Sequence, residues 1–190
     1  TDYLIDPLSL DDLSELNPIF QDQGIVKVFH AAEYDLICLK RDFGFEFANL
    51  FDTMIASRIL GRKEVGLGSL LKREFGVLLN KRYQRANWGQ RPLPGHLLDY
   101  ARLDTHYLIP LRQILLNELI QKNLTDLAEE DNTRICQVSP GEANGKLKNG
   151  HNPWKVRGAY DLDPHQVAIL VQLCEYRDRV AQTIINRCLR

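Results

Sequence analysis

Tyr100 and Asp104 stand four residues apart in Leu98-Asp99-Tyr100-Ala101-Arg102-Leu103-Asp104-Thr105-His106. On a helix that spacing brings a phenol and a carboxylate onto one face, one turn apart. A carboxylate is a hard oxygen ligand suited to magnesium or manganese, and a neighbouring phenol can position a water. The same spacing is common among packing residues, so by itself it leaves Tyr100 as a packing residue and Asp104 as a solvent-facing one. Asp35 is a further candidate ligand, in His30-Ala31-Ala32-Glu33-Tyr34-Asp35. An acidic residue early in a helix also answers the helix dipole. His30 and Glu33 are secondary candidates, and Asp52 reads first as a helix cap.

A phosphate-binding surface can be read from charge. Residues 1–57 carry 11 acidic and 3 basic side chains, whereas residues 58–91 carry nine basic ones against Glu64 and Glu74, a net charge of +7. Such a segment attracts a polyanion although the whole chain sits at -1. Lys81, Arg85 and Arg91 are candidate phosphate contacts. Trp88 or Tyr83 can stack on a base of a single strand, and Trp88 can equally anchor its loop in the core. Gln84 and Asn87 read as loop hydrogen-bonding residues.

The elements that must position these groups follow from patterning. Tyr3–Pro7 reads as a short strand, and Ser9–Ile19 as a helix whose end Pro18 disturbs. Residues Ile25–His30, rich in β-branched side chains, predict a buried strand. A helix over Ala31–Asp42 would turn Leu36 and Leu39 inward and close at Gly44. Leu50-Phe51 then predicts a short strand and Met54–Leu60 a helix. Another helix begins near Gly66-Leu67-Gly68 with Ser69 as its cap. Asn80–Gly95 reads as a long functional loop. A helix over His96–Pro110 ends or kinks at Pro110, with a second through Leu124. Turn formers after Glu130 predict a looser stretch. Asp163-Pro164 opens a helix from His165 to about Arg179, and Val180 starts another element. Strands alternating with helices predict an α/β sheet with helices packed on it.

Composition excludes several classes. With 44% hydrophobic and 26% charged residues, the 190-residue chain has the make-up of a globular protein. No apolar run is long enough to span a membrane, and no basic leader precedes an apolar stretch. The chain begins at Thr1 rather than methionine, which reads as an incomplete sequence. The four cysteines form no close pair and read as reduced cytosolic thiols, and the five histidines form no HExxH set. Gly66-Leu67-Gly68 lacks the third glycine of a dinucleotide loop.

Three blocks, in order, resemble the ribonuclease D and exosome-associated exonuclease family, within the four-carboxylate, two-metal 3′–5′ exonucleases. His30–Asp35 with Phe51-Asp52-Thr53 resembles the second exonuclease motif and the strand after it. Tyr100–Leu108 resembles the third motif in its tyrosine-containing form, and Lys81–Trp88 with Arg91-Pro92-Leu93 resembles the loop before that motif. The likeness spans about residues 1–125. Trp154–Ala159 and Asp163–Arg179 resemble the linker and opening helix of the family's helical nucleic-acid-binding domain. One departure stands out. The family's first motif, an Asp-x-Glu on the first strand, is absent, since neither Asp2 nor Asp6 has a glutamate two positions later.

The resemblance implies a ribonuclease H-like α/β exonuclease core over residues 1–130 lacking its first strands, a linker over 131–160, and a partial helical domain over 161–190. It implies Asp35 and Asp104 as ligands in a site for two Mg2+ or Mn2+ ions, with Tyr100 orienting the attacking water. The expected partner is single-stranded RNA with a free 3′ end, transfer-RNA precursors or DNA included, and no membrane. The expected activity is release of nucleoside monophosphates in RNA maturation or decay, in the cytoplasm. The alternative is a catalytically inactive nucleic-acid-binding or assembly module.

Overall fold

Pro18 opens a helix rather than closing one. It is the second residue of α1 (Asn17–Gln21), where a missing amide hydrogen has no helical partner to lose. Upstream, Asp12 accepts the amide and the hydroxyl of Ser14, both at 2.8 Å, and a single 3-10 turn (Ser14–Leu16) replaces the helix expected from Ser9. The strand expected at Tyr3–Pro7 is also absent. Asp6 accepts from the Leu8 amide (3.1 Å) and the Ser9 hydroxyl (2.6 Å), which makes a side-chain-closed turn and leaves Tyr3 84% exposed. The computed structural model describes residues 1–139 and 162–188, without the side chains of Lys81, Asp178 and 181–188. The expectations for Trp154–Ala159 and for most of the 131–160 linker lie outside the described residues.

The sheet is small. β1 (Lys27–Phe29) pairs in parallel with β2 (Leu50–Asp52), in the register Lys27↔Leu50, Val28↔Phe51, Phe29↔Asp52. Parallel neighbours require a crossover, and α2 (Glu33–Phe43) supplies it. Its inward residues are Leu36 and Ile37, and Gly44 ends it at φ +67°, a left-handed conformation that costs glycine little. Phe20 of α1 packs on Phe45 and Phe47 after α2, with ring centres 5.2 and 4.9 Å apart.

α3 (Thr53–Ile59) follows β2 without a loop, capped by Asp52. α4 (Leu67–Phe75) is capped by Gly66, so Ser69, the expected cap, lies within the first turn. The basic segment folds partly into a 3-10 turn (Lys81–Arg85) started by the Asn80 side chain. The long helical stretch breaks at Tyr107 into α5 (Gly95–His106) and α6 (Leu108–Gln121). Pro110, expected to end the first helix, sits in the first turn of the second, where proline is tolerated.

α6 forms the spine of the core. Leu111, Leu115 and Leu119 recur every four residues, all with no exposed surface, and meet Phe51, Ala56, Leu70 and Leu71. α7 (Thr125–Cys136) crosses Glu130, where composition predicts a looser stretch, and buries Asn132. Most of its other polar residues are exposed, which disguises it in the sequence.

The chain divides into two units, Thr1–Val138 and Ser139–Arg190. In the second, α8 (Pro164–Cys188) is one helix, not two elements. Asp163 and Gln166 cap it reciprocally, at 2.9 and 3.0 Å, and no glycine or proline interrupts residues 165–188.

Candidate functional site

Asp52 organises the entry to the site. Its carboxylate is fully buried and accepts four backbone amides: Ala31 (3.1 Å), Ala32 (2.7 Å), Met54 (2.7 Å) and Ile55 (3.2 Å). Two of these start α3, and two hold the turn from β1 into α2, where Ala31 stands at φ +60°. The Asp52 amide in turn donates to the Asn132 side chain at 2.9 Å. One carboxylate therefore fixes where α2 begins and how Asp35, in its first turn, is aimed. The capping role expected of Asp52 is correct and is only half of what it does.

Beside β1 lies an open cleft of about 480 Å3, whose lining includes His30, Asp35, Leu67, Asp104, Thr105 and Leu108. α2 and α5 thus bring the two candidate carboxylates to one hollow. Burial raises the Asp35 carboxyl above the usual range, and the charge of Asp52 adds to the shift. Burial raises Asp104 as well. His30 is lowered by burial, with Asp52 acting against the shift and Arg58 with it. The Thr53 hydroxyl donates to the Phe29 carbonyl at 3.0 Å and lies 2.9 Å from His30 Nδ1. With its hydrogen so used, Thr53 accepts from Nδ1–H, which leaves the neutral ring's Nε2 as an acceptor.

Tyr100 shares a face of α5 with Asp104 but is buried and does not line the cleft. Its ring lies 6.0 Å from both Trp88 and Tyr83. Burial raises its phenol, the charge of Asp104 adds to this, and a hydrogen bond with Gln84 opposes it. Trp88 is half-buried and Arg85 exposed. Arg91 is already engaged. Its guanidinium pairs with both carboxylate oxygens of Asp6 (2.6 and 2.5 Å) and donates to the Trp88 and Gln90 carbonyls. The side chain of Lys81 lies outside the described residues. The sequence reading passed over Asn132, Asp6 and His96. Of these only His96 had a signal, the same four-residue step before Tyr100.

The donor set can be tested against a metal centre. Asp35 and Asp104 are hard oxygen donors on one cleft, but among the described residues no three histidines, cysteines or acidic residues gather closely enough to hold an ion. These residues do not make up a metal site by themselves.

The family model described as 3′–5′ exonuclease matches residues 1–120. The chain belongs to the 3′–5′ exonuclease family. Within it, the match is to the ribonuclease D and exosome-associated branch. The chain is 34% identical to the exosome complex exonuclease RRP6 of Saccharomyces cerevisiae, over 95% of this chain and 26% of that protein. The catalytic core of RRP6 from Trypanosoma brucei superimposes with a TM-score of 0.71 at 29% identity, over 87% of this chain and 46% of that one. Escherichia coli RNase D, an exoribonuclease involved in structured RNA processing, follows at 0.62 and 30%, over 94% and 47%. The chain thus spans less than half the length of each. These likenesses bear out a partial ribonuclease H-like exonuclease fold, an α/β core with an incomplete sheet and a helical extension. They overturn the cytoplasmic placement expected from the sequence, because the exosome relatives are nuclear components.

Proposed function

We propose that the residues described here act as a single-stranded RNA-binding module on an exonuclease fold, holding a 3′ end without cutting it. The donor set carries this reading: two carboxylates share the cleft, and among the described residues no three histidines, cysteines or acidic residues gather closely enough to hold an ion. Two bare carboxylates repel a phosphodiester, whereas the basic loop attracts one. Arg85, and Lys81 by its place in the sequence, supply phosphate contacts, and Trp88 supplies a ring. We assign the residues between the first unit and 160 to a linker and 161–190, with α8, to the start of a helical nucleic-acid-binding domain.

Hydrolysis is the second reading, favoured by the shared cleft of Asp35 and Asp104 and by relatives named as exonucleases. It assigns metal contact to those carboxylates and water orientation to Tyr100, for release of nucleoside monophosphates from RNA in maturation or decay. Mg2+ or Mn2+ would supply the charge that makes water a nucleophile and neutralises the phosphate. It requires acidic donors beyond these two.

Titration with MgCl2 or MnCl2 by calorimetry separates the readings. The binding module takes up no ion saturably, releases no mononucleotide from 3′-labelled RNA, and binds that RNA with a salt slope of about −1.4 for two phosphate contacts. Saturable two-site binding with mononucleotide release overturns it in favour of hydrolysis. In a protein with the full donor set, wild-type trimming by Asp104→Asn removes the role given to that residue.

The Asp6 pair supplies a further expected result. Asp6→Asn releases Arg91 for phosphate and tightens RNA binding by up to about fivefold at low salt, measured by fluorescence anisotropy. Unchanged affinity would mean that Arg91 only anchors the loop.

A further inference from the structure

His96, Tyr100 and Asp104 follow one another at four-residue steps, so they line one face of α5. The turn bearing His96 lies about 12 Å along the helix from that bearing Asp104. At that end, three planar groups meet at the Tyr83 ring. The Arg82 guanidinium lies over the Tyr83 ring, 4.7 Å from its centre, and His96 packs against Tyr83 with ring centres 5.1 Å apart and planes inclined at 37°. Tyr83 meets Tyr100 edge-on at 6.0 Å, which ties the group to the buried phenol. Tyr83 is half-buried, but His96 is exposed, and among the described residues no hydrogen bond or ion pair engages its ring nitrogens.

An exposed ring packed on Tyr83, with the Arg82 guanidinium on the same tyrosine, is a platform for another flat, electron-rich group on an anionic strand. We propose that His96 is a stacking subsite for a nucleobase upstream of the 3′-terminal nucleotide, with Tyr83 and Arg82 holding the imidazole in place. The inference rests on the RNA-binding reading above. It makes α5 a ruler: the carboxylate end faces the strand terminus, and the imidazole end takes a base further back. Any base can stack, so the subsite selects for strand length rather than sequence.

The test is anisotropy with a single-stranded RNA of about six nucleotides and with versions carrying one abasic residue at each successive position. His96→Ala weakens binding of the intact oligomer by about tenfold, a typical loss for one stacked base. His96→Phe, which keeps a flat ring, stays within about twofold of wild type. At one internal position the abasic oligomer binds wild type and His96→Ala equally, because the base and its platform are removed by the same contact. A merely structural His96 would weaken every oligomer alike. Wild-type binding with no such position, or full affinity in His96→Ala, overturns the subsite and leaves the RNA-binding reading standing. Failure of wild type to hold any oligomer overturns that reading and the subsite with it.

Discussion

Asp52→Ala should unfold the first unit of the chain, with a loss of about 4–6 kcal/mol in urea or thermal melts. The carboxylate has no exposed surface and satisfies the amides of Ala31, Ala32, Met54 and Ile55. Each buried donor left without an acceptor costs about 1–3 kcal/mol, and the α3 cap contributes within that range. The damage spreads because the two amide pairs belong to different helices, and Asp52's own amide is bonded to Asn132 on α7. Asp52→Asn separates hydrogen bonding from charge. Three of the four amides converge on Oδ1, so an asparagine with its carbonyl there keeps them, while its amide group opposes the Ala32 N–H at the other position. Its loss should be about half that of alanine. A loss below about 1 kcal/mol in Asp52→Ala would refute the hub.

The double replacement Asp35→Asn with Asp104→Asn should do the opposite to stability and change RNA affinity most. Both carboxyls are raised in the folded chain, chiefly by burial. The sign follows from linkage: the folded state holds these protons more tightly than the unfolded one, so their stabilising effect is complete below about pH 4 and is lost as pH rises through the raised folded values. At neutral pH each ionised carboxylate opposes folding. Both are partly open to solvent, so screening keeps the gain small, and the double variant should melt no more than about 3 °C higher at pH 7. That gain should vanish near pH 4. On RNA the effect is larger. Two unit charges about 4 Å apart in water repel by about 1 kcal/mol, so removing two carboxylates should tighten binding by at least about tenfold in EDTA. Lowering the pH should move wild type the same way, because the raised carboxyls take up protons before ordinary carboxylates do. Equal affinity of the two proteins in EDTA would show that the strand does not approach this cleft.

Much of this was legible in local pattern. The β-branched run at 25–29 and the Gly44 stop are short-range rules, and they produced β1 and the end of α2. Where side chains compete with the backbone, pattern misled. Asp6 and Asp12 close turns on their neighbours, so an apparent strand and an apparent helix were lost. Two prolines were read as helix stops because sequence shows the missing amide hydrogen but not its position. In the first turn that hydrogen has no partner to lose.

The candidate site divides along the same line. By itself the sequence determined which groups are present: Asp35 and Asp104 as hard oxygen donors, Tyr100 one turn from Asp104, a basic stretch with aromatic side chains, and a family likeness resting on their order. Long-range packing set what they face. It placed the two carboxylates on one cleft, buried Tyr100 behind it, tied Arg91 to Asp6 and left the His96 ring open. The reason is range. Helical spacing fixes neighbours within a turn or two, whereas burial, desolvation and ion pairing depend on which distant segments the core draws together.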